Sequence, residues 1–338
     1  MGRKVLAETG KNRIHVVFDH PTGRFSPEKK RRGETELFWQ ESEHGALSDC
    51  LEELSQLVGL VNIKEFVKEI YAWLEVGKRR KAAGLAADEQ VLHMIFTGNP
   101  GTGKTTVARI LGRLFKEMGV LSRGHLVEVE RADLVGEYIG HTAQKTREHV
   151  RKALGGILFI DEAYSLARGG DKDFGKEAID TLVKAMEDHK NDFILILAGY
   201  PEEMEWFLRL NPGLPSRFPV HLKFQDFTLE ELLDIADRMV SARQYRLSLA
   251  ARERLRRHLE EEMRRRDSHS GNARHVRNLV EQAIRQHAMR VIRMKNPDRD
   301  ELMTLRGEDV MAGLGAGKRG ASPWYNGSGV RFATDRRS

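Results

Sequence analysis

Gly98-Asn99-Pro100-Gly101-Thr102-Gly103-Lys104-Thr105 carries the spacing G-x-x-x-x-G-K-[ST], and that spacing suits the holding of a chain of phosphates. Phosphate oxygens need several N–H donors at short range, and glycine lets the backbone come that close. A helix starting behind the loop aims its own N–H groups and positive dipole end at the same oxygens. Lys104 would reach the β- and γ-phosphates, and the Thr105 hydroxyl would take one position on Mg²⁺. A glycine-rich turn with an incidental lysine is the plain alternative, and the elements on either side decide between them.

Ile157-Leu158-Phe159-Ile160-Asp161-Glu162 is the second group of residues with a chemical use. Four apolar residues of a buried strand end in paired carboxylates, which are costly there unless a cation or a reacting water needs them. Asp161 would hold Mg²⁺, directly or through water, and Glu162 would polarise the attacking water. Capping of the next helix is the alternative use of the two acids. Arg217, set among Pro212, Pro215 and Pro219, is a held guanidinium of the kind that suits phosphate charge in a transition state.

These groups need a scaffold, and the hydrophobic pattern supplies a parallel one. Met94-Ile95-Phe96 precedes the glycine loop as a strand buried on both faces. Val107, Ile110, Leu111, Leu114, Phe115 and Met118 follow it as one face of a helix. Strands at Leu126–Glu130, Ile157–Ile160, Phe193–Ala198 and Val220–Phe224 alternate with helical stretches, the pattern of an α/β fold with crossovers. In such sheets ligands sit beyond the carboxyl ends of the strands, which brings Gly199 and Tyr200 near the γ-phosphate. Upstream, Leu47, Leu51, Leu54 and Leu57 predict a helix with Asp49 and Glu52 at its N-terminal end, broken at Val58-Gly59-Leu60 before a second helix.

At Thr228 the character changes. Thr228-Leu229-Glu230-Glu231 is a capping box with an apolar stripe behind it. A charged helix follows, and then Gly271-Asn272-Ala273-Arg274 opens another with Val276, Leu279, Val280, Ala283, Ile284, Ala288 and Val291 in register. Arg274 lies off that stripe, able to reach toward a nucleotide. The expected divisions are a basic extension over 1–46, a sheet domain over 47–226, a helical lid over 227–312 and a Gly/Arg-rich tail over 313–338.

Of the 338 residues 40% are hydrophobic, enough for a sizeable core. The net charge of +6 is concentrated at the ends. Residues 1–33 hold nine Lys/Arg against three Asp/Glu and residues 313–338 five against one, which leaves the middle slightly negative. Basic ends such as Lys29-Lys30-Arg31-Arg32 are read as solvated, with nucleic acid or an acidic partner as the alternative. The longest apolar runs fall short of the ~18 residues that a membrane span needs. A single cysteine, Cys50, and the absence of a secretory h-region at Met1–Glu8 point to the cytoplasm.

In their order, the glycine loop, the Asp-Glu strand end, the clamped arginine and the helical lid resemble the AAA+ ATPases. More narrowly, Thr97 to Thr106, Asp133 to Thr142, Leu158 to Tyr164, Ala198-Gly199-Tyr200-Pro201 and Gly271 to Arg274 resemble the CbxX/CfqX branch, which holds a sporulation protein and the red-type Rubisco activases. The resemblance covers roughly residues 47–312. It implies a P-loop NTPase with a three-layer αβα parallel sheet in the order 5-1-4-3-2, a C-terminal all-helical lid, and ring-shaped hexamers with ATP between subunits.

By the same resemblance Val58 and Gly59 lie by the adenine, and Pro100, Gly101, Thr102, Gly103, Lys104, Thr105 and Thr106 wrap the phosphates. Arg217 becomes a finger given in trans to the neighbour's ATP, and Arg274 a lid arginine that senses nucleotide. Tyr138 and Ile139 form a pore loop that grips a protein client. Tyr138 also has a plain reading, as a packed loop aromatic. Many AAA+ members carry an asparagine after the fourth strand where this chain has Gly199-Tyr200, so the group that orients the water is open. The expectation is an ATP-driven, Mg²⁺-dependent remodelling motor of the sporulation type. A red-type Rubisco activase, a nucleic-acid loader and a nucleotide-gated scaffold with little hydrolysis are its rivals.

Overall fold

The computed structural model describes residues 45–86, 91–138, 140–168, 174–190, 192–264 and 271–310. Ile139 and most of the two basic ends lie outside them. Contacts divide the chain into two compact units, the second beginning at Thr228.

In the first unit helix α1 (Gly45–Gln56) and helix α2 (Val61–Ala82) precede strand β1 (Met94–Gly98) and helix α3 (Lys104–Glu117). Then come β2 (Leu126–Val129), the single turn α4 (Arg131–Leu134), α5 (His141–Ala153), β3 (Ile157–Ile160), a 3-10 turn at Ala163–Ala167 and α6 (Gly175–Asp188). The unit closes with β4 (Ile194–Gly199), α7 (Pro201–Leu210) and β5 (Val220–Phe224). All five strands pair in parallel in the order β2-β3-β4-β1-β5, as the resemblance implies.

Alternation along each strand builds two cores. Met94, Phe96, Ile157, Phe159, Ile196 and Phe224 pack with α1, α2 and α3 on one face. Ile95, Leu158, Ile160, Leu195 and Leu197 pack with α5, α6, α7 and the 3-10 turn on the other. The result is three layers, helix on sheet on helix, with each fully buried apolar side chain contributing about 1.5–3 kcal/mol.

One expected helix start is corrected. Helix α1 is already under way at Gly45, so Asp49 and Glu52 lie inside it rather than at its N-terminal end. The break after it holds as expected, with Gly59 at φ 64° and Leu60 at φ 55°, both left-handed. Lys64 fixes that turn by donating from Nζ to the carbonyls of Ser55 and Leu57 at 3.0 and 2.6 Å, which closes the end of α1.

The second unit holds α8 (Leu229–Ser241), α9 (Leu249–Arg264), α10 (Asn272–Val291) and α11 (Arg299–Met303). Its capping box forms as read, Thr228 N donating to Glu231 Oε2 at 2.8 Å and Glu231 N donating to Thr228 Oγ1 at 3.3 Å. It is not purely helical: β6 (Arg246–Leu247) pairs in parallel with β7 (Thr304–Leu305). Two-residue strands are too short to leave an alternation in the sequence. The stripe of α10 also differs by one place, running Val276, Val280, Ala283, His287 and Val291 while Ala288 is exposed. The helical period favours position 287, and its imidazole is satisfied there by the Glu301 carbonyl at 2.8 Å.

Candidate functional site

The glycine loop joins β1 to α3, and its conformation depends on residue type. Gly101 and Gly103 have φ of 74° and 96°, left-handed values that glycine adopts without strain. Gly98 is required for a different reason. A Cβ there would stand 2.5 Å from the Phe224 carbonyl oxygen and 2.7 Å from the Phe224 Cβ on the paired strand β5. Thr102, fully buried, donates from Oγ1 to the Asn99 carbonyl at 2.8 Å and folds the loop back on itself. Asn99 Nδ2 donates to both carboxylate oxygens of Asp226, at 3.0 and 2.9 Å, and so anchors the loop beyond the end of β5. Lys104 Nζ curls under the loop and donates to the Gly98 and Asn99 carbonyls at 2.7 and 2.9 Å. The side chain of Leu60 lies 3.8 Å from the Cβ position of Gly103, which sets the Val58-Gly59 turn beside the loop.

Register brings the other residues to the same edge. Strand β4 lies between β1 and β3, with Thr97 opposite Gly199 and Ile160 opposite Leu197. Gly98, Asp161 and Tyr200 therefore leave three neighbouring strands at their carboxyl ends, β1 and β3 roughly 10 Å apart. The Asp161 amide donates to the Val129 carbonyl at 3.0 Å, while its Oδ1 accepts from the Glu162 amide at 3.0 Å. Glu162 is exposed and left-handed, at φ 46° and ψ 45°, a conformation that costs a residue with a Cβ about 1–2 kcal/mol. It heads the 3-10 turn.

Tyr164, two residues further on, ends one of the motifs of the resemblance, but sequence reasoning gave it no role. Its ring is 1% exposed. Burial first, then the charge of Glu162, pushes the phenol far above its ordinary range, so it stays protonated. The ring packs against Gly199, where a Cβ would stand 2.7 Å from Tyr164 Cδ1. The Tyr200 ring lies 5.7 Å away and the Arg168 guanidinium 4.7 Å from the ring centre. An aromatic two residues after the acid pair is the one sequence signal for it. Arg131, at the end of β2, ties to the same turn by donating from Nη1 to the Ser165 carbonyl at 2.7 Å.

Arg217 stands apart from this group. It precedes β5, at the amino end of the sheet, between the buried Leu214 and Phe218. His93, just before β1, packs against Phe193 and Phe218 with ring centres 5.7 and 6.0 Å apart, which gathers the amino ends of β1, β4 and β5. Five residues of β1 at ~3.3 Å each set that end roughly 15 Å from the glycine loop. The guanidinium donates to the Gly213 carbonyl at 2.9 Å and to Glu187 Oε1, on α6, at 2.5 Å. Glu187 left no signal in the sequence.

Tyr138 is 65% exposed and meets His141 edge-on at 5.4 Å. Its loop is sewn down around it, the Gly136 amide donating to the buried Thr142 Oγ1 at 2.9 Å. Thr105 is half-buried and Thr106 exposed in the first turn of α3, while Arg274, in the second unit, is exposed in the first turn of α10.

A family profile described as "ATPase family associated with various cellular activities (AAA)" matches residues 94–226, and one described as "AAA lid domain" matches 228–319. The chain is 56% identical to stage V sporulation protein K of Bacillus subtilis over 80% of its own length and 84% of that protein's. It is 44% identical to the plasmid-borne protein CbxX of Cupriavidus necator, over 79% of this chain and 84% of that one. The chain belongs to the CbxX-type AAA+ ATPases. The ATPase is also 45% identical to the chloroplastic Rubisco activase of Cyanidioschyzon merolae, over 84% of its length and 94% of that chain. The ATPase thus binds nucleotide and hydrolyses ATP, on a P-loop fold with a C-terminal lid. Among its described residues no helix is long and apolar enough to cross a membrane.

Proposed function

We propose that the ATPase hydrolyses Mg-ATP at the carboxyl end of its sheet, with Arg217 supplied by an adjoining copy in a ring, a hexamer on the family pattern. The observation that carries this reading is the separation of Arg217 from Lys104 by the length of the sheet. An arginine at the amino end of β5 is out of reach of its own subunit's phosphates and is free to meet a neighbour's. Lys104 exchanges two neutral carbonyl acceptors for phosphate oxygens, a stronger charge-assisted pairing. Glu162 takes the proton of the attacking water, and Val58, Gly59, Tyr200 and, from the lid, Arg274 complete the nucleotide's surroundings.

Thr105 and Asp161 are the residues that would hold Mg²⁺, which screens the phosphate charge when bound. No three His, Cys, Asp or Glu converge as a metal cage among the described residues. One hydroxyl and one carboxylate fit a magnesium that draws its remaining oxygens from phosphate and water. Tyr138, exposed on a loop that is otherwise pinned, is suited to press on a protein client as the cycle runs, with Ile139 beside it. We place the client on the sporulation side, on the higher identity to the Bacillus subtilis protein. The similarity to the chloroplastic activase keeps Rubisco as the second reading.

The test is ATP turnover against protein concentration. Because a finger in trans supplies ~10³–10⁵ in rate, turnover per subunit is expected to climb steeply as copies assemble. A constant rate from dilute monomer upward removes the shared site.

A further inference from the structure

We propose that Asp226 is a positioning residue for the nucleotide: it holds the Asn99 side chain just past the sheet and so keeps the glycine loop in the shape that receives phosphates. The role rests on reading that loop as the phosphate site, and adds to it a residue outside the loop that sets its form.

Asn99 is where the bonds of the loop converge. Its carbonyl accepts from Thr102 Oγ1 at 2.8 Å and from Lys104 Nζ at 2.9 Å, while its side-chain Nδ2 stands between both oxygens of Asp226, at 3.0 and 2.9 Å. A side-chain NH₂ only donates and a carboxylate only accepts, so the direction of that last contact is settled. An exposed carboxylate has water to satisfy it. Asp226 nevertheless turns both oxygens to one amide that lies 127 residues away in the chain.

The strands explain why the contact falls there. Pairing of β1 with β5 runs from Met94 opposite Val220 to Gly98 opposite Phe224, and it ends with the backbone of Gly98 close against Phe224. Asn99 and Asp226 come one and two residues later, and their side chains carry the pairing a step beyond the backbone ladder. The loop then has to turn through Gly101 and Gly103 and bring its N–H groups to one place. A loose first residue would have to be ordered each time a nucleotide binds, at a cost in entropy. Lys104 cannot supply the hold in the bound state, since it leaves the Asn99 carbonyl for phosphate oxygens. Asp226 takes no part in that exchange and holds the loop in both states. A carboxylate near the loop also repels a chain of phosphates. The positional and the electrostatic effects of Asp226 therefore have opposite signs, and substitution tells them apart.

Asp226→Ala is expected to weaken ADP binding to the full chain about ten-fold, as loss of one hydrogen bond to a charged group implies, whereas relief of charge alone would tighten it. KM for ATP is expected to rise by the same factor, with kcat at saturating ATP and the melting temperature at their original values. Asn99→Ala should match Asp226→Ala, and the double variant should be no worse than either, because the two partners of one bond are non-additive. Exchange of the pair is the rescue. Asn99→Asp alone sets two carboxylates face to face, and adding Asp226→Asn gives the bond back in reverse, which is expected to recover about ten-fold in ADP affinity. Unchanged or tighter ADP binding by Asp226→Ala overturns the proposal, as does a double variant whose losses add or an exchanged pair that recovers nothing. A melting temperature that falls in step with the affinity assigns the pair a merely structural role and overturns it too. If Lys104→Ala binds ADP as the original chain does, the phosphate-site reading fails first, and the two failures are told apart.

Discussion

The two ends of the five-stranded sheet are built on opposite plans. At the carboxyl end the glycine loop, Asp161 and Glu162 are held by hydrogen bonds to backbone, and Gly101, Gly103 and Glu162 take left-handed conformations there. At the amino end three rings, His93, Phe193 and Phe218, close over the strands, and the charge of Arg217 is carried outward by an exposed ion pair. One end is preorganised to receive a ligand. The other is an apolar plug with the Arg217 guanidinium at its rim. On the proposed reading, a subunit built this way carries both halves of a site that it cannot complete alone.

The largest expected effect breaks the comparison outright. Arg217→Ala is expected to lower turnover by ~10³ or more while nucleotide affinity stays as it was. Glu162→Gln is expected to be as inactive for a different reason. Mixing the two variants should restore part of the activity, since Arg217→Ala subunits keep a working base and Glu162→Gln subunits keep a finger. No recovery in mixed assemblies, measured by ATP turnover, would mean that both residues serve one subunit's own nucleotide.

A smaller effect tests the amino-end plug. His93 accepts from the Leu195 amide at 3.0 Å through Nδ1, and its buried Nε2 has no partner among the described residues. Burial pushes this imidazole down to about 4. The unfolded chain, with an ordinary imidazole near 6.5, therefore takes up the proton first. Stability from this group is complete above pH 6.5 and is lost as the pH falls toward 4, by about 3 kcal/mol in all. Denaturant unfolding at pH 7.5 and 5 should show the loss. His93→Asn, whose amide oxygen can replace Nδ1 as acceptor without titrating, should flatten that part of the slope.

The smallest concerns the rim. Glu187 is mostly exposed, so Glu187→Ala is expected to change stability by less than about 1 kcal/mol, within the range of surface ion pairs. A loss of several kcal/mol in the same unfolding assay would move Arg217 from the rim into the plug.

Much of this was legible in the residues because the carboxyl-end chemistry depends on local sequence. A phosphate loop needs its glycines and lysine consecutively, and a strand that ends in Asp161-Glu162 announces itself in six residues. The parallel sheet followed from the alternation of strands and helices, and the strand order and the two layers of helices from the resemblance. What stayed hidden depends on pairs far apart in the chain. Asp226 holds Asn99 across 127 residues, Glu187 meets Arg217 across 30, and His93 bonds Leu195 across 102. Neither member of such a pair has a neighbour that marks it. The two-residue strands of the second unit and the place of His287 in α10 were lost for a simpler reason, since neither breaks a pattern long enough to read.

Gly98 has a consequence for how the loop is to be dissected. Its lack of a side chain is demanded by strand β5, which stands against it whether or not a nucleotide is present. A substitution there would wedge two strands apart and be mistaken for a binding defect, whereas Lys104 can be exchanged without disturbing the sheet. A descendant of this protein that had abandoned nucleotides altogether would be free to drift at Lys104 and would still be obliged to keep Gly98.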